Sequence, residues 1–88
     1  MTIALNITRS SKTTLLVQLV NGLKVLVETG QLEGGEKLPP TRILAQSLGI
    51  SRATVVAAFE QLEAEGFVVS KRGAGTFVTS VAMEERIE

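Results

Sequence analysis

Three places gather guanidinium, ammonium and hydroxyl groups beside glycine or proline: Arg42 after Pro39-Pro40, Ser51-Arg52-Ala53-Thr54, and Lys71-Arg72-Gly73-Ala74-Gly75. Groups of this kind give positive charge and hydrogen bonds to phosphates and to guanine edges, which is the chemistry of holding a polyanion. Bond-breaking chemistry is poorly provided for. With neither Cys nor His in 88 residues, the chain lacks a zinc finger, a disulfide framework, a thiol nucleophile, an imidazole base and a His-ligated metal. An enzyme is therefore not expected. Gly73-Ala74-Gly75 has the opening of a phosphate-cradling glycine loop, but Val78 occupies the third glycine position and no helix is expected to follow.

Nine Lys and Arg balance nine Glu, so the net charge is zero and the position of the cations matters more than their sum. The absence of Cys fits a reducing compartment, and the N-terminus lacks the ordered segments of a secretory leader. A cytoplasmic protein is expected. The longest apolar-rich stretch, Leu15 to Val27, is interrupted by Gln18, Asn21, Gly22 and Lys24. It falls short of the roughly 20 apolar residues of a membrane span and reads as a core helix.

The elements that must position the three stretches follow from periodicity and punctuation. From about Thr13 to Glu28, Leu15, Leu16, Leu19, Leu23, Leu26 and Val27 recur at helical spacing, with Gln18, Asn21, Gly22 and Glu28 on the opposite face. Val17, Val20 and Val25 widen this apolar stripe, either to pack on another subunit or a further domain or as modest surface exposure. Gly30 ends the helix, and a turn-rich connection bracketed by Gly34-Gly35 and Pro39-Pro40 follows. A short helix is expected from Pro40 or Thr41 to Leu48, with Ile43, Leu44 and Leu48 apolar and Arg42 and Gln46 outward at i, i+4. Gly49 stops it. Ser51 then caps a third helix in which Val55, Ala58, Phe59 and Leu62 form the buried face and after which Gly66 is the terminator.

The runs Phe67 to Ser70 and Thr76 to Thr79 are β-prone and flank the basic, glycine-bearing tip, so a hairpin is expected there. Residues 1–12 read as an arm, 13–79 as the folded domain, and 80–88, with Glu84, Glu85 and Glu88, as an acidic linker or end. The fold class is mainly α with a small β-hairpin, in the element order of a winged helix-turn-helix.

In that arrangement the third helix enters the major groove. Arg52, at its first turn, is placed to reach a guanine edge, a contact worth about 1 to 3 kcal/mol of discrimination. The plain alternative is a surface salt bridge to Glu36 or Glu60. Ser51 is fully explained as a cap, with phosphate contact as a second use. Arg42 would lie along the backbone and position the domain. Lys71, Arg72 and Gly73 suit approach to a phosphate strand or a minor groove, while Gly73 equally suits a type I′ or bulged turn that needs φ above zero. Glu60, Glu63 and Glu65 lie toward the far end of the third helix and read as a solvated surface. A winged-helix protein-interaction module using the apolar first helix is the alternative function.

The motifs Leu38-Pro39-Pro40-Thr41-Arg42-Ile43-Leu44-Ala45, Gly49-Ile50-Ser51-Arg52-Ala53-Thr54-Val55, Leu62-Glu63-Ala64-Glu65-Gly66-Phe67 and Gly73-Ala74-Gly75-Thr76-Phe77-Val78 closely resemble the DNA-binding domain of GntR-family bacterial transcription regulators. The resemblance covers roughly Leu15 to Val78. Pro39-Pro40, Thr54-Val55-Val56 and Phe59-Glu60-Gln61-Leu62 look most like the MocR subfamily. Its members join this domain by a linker to a pyridoxal-phosphate-binding, aminotransferase-like domain that these residues do not contain. The resemblance implies double-stranded operator DNA as partner, homodimers on paired half-sites, no membrane, and no cofactor in this chain itself. It implies DNA contact by Arg42, Ser51, Arg52, Thr54, Arg72 and Gly73, and Ala53 and Lys71 beside them are expected to share that contact. Ala53 stands where many relatives carry Thr, and Val56 or Ala57 where many carry Arg, so fewer polar groups face the bases.

Overall fold

Thr14 opens the first helix by accepting the Val17 N–H on its hydroxyl at 3.2 Å, which satisfies one of the amides a helix start leaves unpaired. This is a computed structural model, and it describes Leu5, Ile7, Thr8 and residues 13–79. The rest of the expected arm and the acidic 80–88 segment lie outside the described residues. Helix α1 runs over Leu15–Glu28, and its chain leaves through Gly30 at φ 83°, a left-handed conformation that glycine takes without a Cβ penalty.

Leu19, Val20, Leu23 and Val27 are buried on α1, while Leu15, Leu16 and Leu26 pack partly against them. Val20 thus belongs to the core and not to the surplus stripe. Val17 and Val25 remain 43% and 52% exposed. The face expected to be polar is met at Gln18 and Gly22 by Thr8 and Leu5, while Asn21 and Glu28 stay exposed. The Gln18 side-chain amide accepts the Thr8 N–H at 2.8 Å and donates to the Thr8 and Thr13 carbonyls at 2.9 and 2.7 Å. Leu5 lies over Gly22, where a Cβ would stand 2.8 Å from Leu5 Cδ2.

Helix α2, Thr41–Leu48, buries Leu44 and Ala45, and Gly49 at φ 70° turns the chain into Ile50, itself buried. Ile43, expected to be apolar core, is instead 43% exposed, because Leu44 and Ala45 fill the side of this two-turn helix that meets α3. Helix α3, Arg52–Ala64, presents Val55, Ala58, Phe59 and Leu62 to α1 and α2, as the spacing predicts. These side chains, with Phe67, Val68 and Val78, close one continuous core.

Strands β1, Val68–Lys71, and β2, Gly75–Val78, pair antiparallel from Val68 opposite Val78 to Lys71 opposite Gly75. Both strands are shifted by one residue from the expected runs, which leaves Arg72, Gly73 and Ala74 as a three-residue tip. A lone two-stranded ribbon is marginal in water. Here the free edge of β2 is occupied by the connection between α1 and α2. Gly35 N–H donates to the Val78 carbonyl at 2.7 Å, Val78 N–H to Glu36 at 2.8 Å, and Leu38 N–H to Thr76 at 2.8 Å. Lys37 bridges Phe77. The segment read as turn-rich is in part a third edge of the wing. Leu32 and Leu38, buried on either side, anchor it to the core.

Candidate nucleic-acid interface

The start of α3 is locked locally before any partner is considered. Ser51 Oγ accepts the Thr54 N–H at 3.1 Å and lies 2.8 Å from Thr54 Oγ1, so the cap and the Thr54 hydroxyl are engaged with each other. Thr54 is half-buried, whereas Arg52 and Ala53 are exposed. Arg52 Nε donates to Thr41 Oγ1 at 3.2 Å, linking the start of α3 to the start of α2. Neither Glu36 nor Glu60, the salt-bridge partners weighed for it, holds its guanidinium.

Thr41 also lines an open hollow of about 480 Å³, with Pro40 and Phe59 on one side and Lys71, Arg72 and Gly73 of the wing tip on the other. The structure therefore brings Arg52, through Thr41, to the rim of a hollow whose far wall carries Lys71 and Arg72. Arg42 is exposed one residue further along α2 and does not line the hollow. No carboxylate lines it among the described residues.

The tip is built by one glycine. Ala74 N–H donates to the Lys71 carbonyl at 2.9 Å, and Gly73 sits at φ 77° in the second central position of that turn. A type I′ turn would put Arg72 at positive φ as well, and no residue other than glycine has positive φ among the described residues. Gly73 therefore supplies the positive φ that the tip needs, and of the type I′ and bulged alternatives the type I′ turn is not formed. Lys71 Nζ lies 5.1 Å from the centroid of the Phe77 ring, close enough for the ring face to attract the ammonium.

Two of the glutamates read as solvated are structural ties. Glu63 accepts both the N–H and the hydroxyl of Ser70 at 3.2 Å each, joining α3 to β1. Glu65 forms a salt bridge with Lys24 and accepts from Gln61 Nε2 at 3.1 Å. The Lys24 ammonium first, and the Gln61 amide second, hold the Glu65 carboxyl below its ordinary pKa. Lys24 Nζ also lies 5.4 Å from the Phe67 ring centroid, so this charge pair belongs to the junction of α1 with the end of α3.

Two contributors were missed by sequence reasoning. The sequence marks Thr41 only as a helix start, although it is the residue that holds Arg52. Lys37 falls in sequence within a turn-rich connection, although it is exposed and lines the same hollow. Neither had a readable signal: one hydroxyl has no period, and a three-residue edge segment is too short to show alternation. Among the described residues no cluster of three or more acidic, His or Cys side chains could hold a metal, and no helix is long and apolar enough to cross a membrane.

This geometry has relatives. The pattern of "Bacterial regulatory proteins, gntR family" matches residues 15–78. The chain is 41% identical over 64 residues to the probable rhizopine catabolism regulatory protein MocR of Rhizobium meliloti, covering 73% of this chain and 13% of that protein. It is 34% identical over 84 residues to the transcriptional repressor NagR of Bacillus subtilis, covering 96% of this chain and 35% of NagR. Among solved structures, YtrA from Sulfolobus acidocaldarius, a GntR-family transcription factor, superposes with a TM-score of 0.83 at 34% identity, covering 98% of this chain and 93% of YtrA. The DNA-binding domain of AraR in complex with operator ORX1 superposes with a TM-score of 0.73 at 25% identity, covering 85% of this chain and 96% of that one. The chain thus spans about an eighth of MocR and about a third of NagR. A three-helix core, a wing braced on its free edge, and a match over residues 15–78 lead to one conclusion: the chain belongs to the gntR family of bacterial regulatory proteins.

Proposed function

We propose that this chain is the DNA-binding domain of a transcription regulator, with the N-terminal turn of α3 in the major groove and the Lys71–Gly75 wing on the backbone or minor groove. The observation that carries the reading is the hollow between α2 and the wing, with Arg52 tied to its rim through Thr41, Lys71 and Arg72 on its far wall, and no lining carboxylate. Such a face concentrates cations where a duplex phosphate strand would run, and phosphate neutralisation supplies most of a regulator's sequence-independent affinity. The AraR complexes with operator DNA, on the same fold, support this assignment.

Within this reading Arg52 reads a base edge, Arg42, Lys71 and Arg72 meet phosphates, and Ser51, Ala53, Thr54 and Gly73 shape the approach. The protein works in the cytoplasm, catalyses no reaction and binds paired half-sites as a homodimer. The exposed Val17 and Val25 on α1 favour packing against a second copy. Pyridoxal phosphate, which the resemblance places in a further domain, finds no fitting cradle among these residues. No polar side chain is buried among those described, and Lys37 and Lys71 are exposed.

A titration of the protein against a mixed-sequence duplex across a salt series tests the assignment. A log affinity that falls steeply and linearly with log salt is expected. Salt-independent or absent binding would favour a protein-interaction module instead.

A further inference from the structure

Lys37 is a cation with no role in the interface as read from the sequence. Its backbone is fixed at the free edge of β2 by the Val78–Glu36 and Leu38–Thr76 hydrogen bonds, both 2.8 Å, on either side of its bridge to Phe77. Its exposed side chain then crosses the wing at Gly75. A Cβ on Gly75 would stand 2.8 Å from Lys37 Cε and 3.7 Å from Nζ. Gly75 also has a φ of 125°, so backbone conformation and the missing side chain together leave the lane in which the Lys37 stem lies. The ammonium is thereby delivered to the hollow from the strand edge opposite β1, which carries Lys71.

Lys37 also lines a second, smaller hollow of about 340 Å³ with Leu38, Pro39, Pro40 and Ile43, where it is the sole charged group. It therefore stands between the wing tip and the start of α2, the two elements that flank the path a phosphate strand would take past Arg52. Among the described residues Lys37 has no carboxylate partner, so its charge is not already spent inside the molecule.

We propose that Lys37 binds a backbone phosphate of the duplex, as a third cation beside Lys71 and Arg72, and that Gly75 exists at its position to let the Lys37 stem through. The inference rests on the DNA-binding reading. Because a lysine is a point charge and phosphates carry no sequence information, Lys37 sets affinity and register and leaves base preference untouched.

The test uses the 88-residue chain and a mixed-sequence 30-base-pair duplex, with the slope of log affinity against log salt as readout. Lys37→Gln is expected to lower the slope by about 0.9 and to weaken binding by roughly eightfold at 0.1 M salt, the equivalent of one lost phosphate contact. Lys37→Arg keeps the slope. Lys24→Gln, whose ammonium is occupied by Glu65, keeps it too. Thermal melts of each variant show that the fold is intact. An unchanged slope in Lys37→Gln alongside a lowered slope in Arg72→Gln would overturn the role of Lys37 and leave the DNA-binding reading standing. A wild-type protein that binds no duplex at any salt would overturn both.

Discussion

Arg52 Nε donates to Thr41 Oγ1 at 3.2 Å, so the first residue of the third helix is held by the first residue of the second. Nε is one of five N–H donors of the guanidinium, and its use here leaves the terminal edge free for a bidentate contact. Thr41 is thereby a positioning residue for Arg52. On a duplex selected from a randomised pool, Arg52→Ala should reduce preference over random DNA by about 1 to 3 kcal/mol, and Thr41→Val by a smaller amount. In the Arg52→Ala background Thr41→Val should add nothing. An additive loss in that double-mutant cycle would separate the two residues.

Glu63 ties α3 to the wing through both donors of Ser70. Glu63→Ala should cost about 1 kcal/mol in urea unfolding, since two solvent-exposed, charge-assisted hydrogen bonds are lost. It should also weaken duplex binding without changing base preference, because the wing is less well held. Equal stability of the variant and the parent would show that the wing needs no such tie.

Gly49 turns the chain between α2 and α3 at φ 70°. A Cβ there meets nothing within 4 Å, so any cost of Gly49→Ala comes from the left-handed backbone alone. A loss of about 1 to 2 kcal/mol in denaturant unfolding is expected. A smaller loss would mean that the turn relaxes to another conformation.

Glu65 has a folded-state pKa held below its ordinary value, chiefly by Lys24 and then by Gln61. Between the folded and unfolded values the unfolded chain binds more protons, so stability rises with pH there. The contribution is complete above the ordinary carboxylate pKa and is lost as pH falls through the lower folded value. Glu65→Gln should accordingly flatten the acid limb of melting temperature against pH and leave the neutral region nearly parallel to the parent. An acid limb of unchanged steepness would place the responsible group elsewhere.

The helices were legible because their signals are local and repeated. Leu19, Leu23 and Val27, then Val55, Phe59 and Leu62, recur at helical spacing, and Gly30, Gly49 and Gly66 punctuate them at positive φ. The braced edge of the wing was not legible, since Glu36, Lys37 and Leu38 acquire strand character only by meeting β2. Val20 and Ile43 exchanged places with expectation for a related reason: hydrophobicity states what can be buried, and the neighbouring elements decide which side chain is. The motif residues Arg52, Lys71 and Arg72 were visible as types. The hollow that Lys71 and Arg72 line, its link to Arg52 through Thr41, and the contribution of Lys37 to it exist only once residues far apart in the chain are folded together.

Whether Arg52, Lys71 and Arg72 share one DNA-facing side is tested most directly by amide chemical-shift mapping of the isotope-labelled chain as a mixed-sequence duplex is added at low salt. Shifts concentrated at Thr41–Arg42, Ser51–Thr54 and Lys71–Gly75, with Val17 and Val25 on α1 little changed, are the predicted result. Shifts concentrated on the Val17 and Val25 face, with the wing tip and the start of α3 unperturbed, would contradict it.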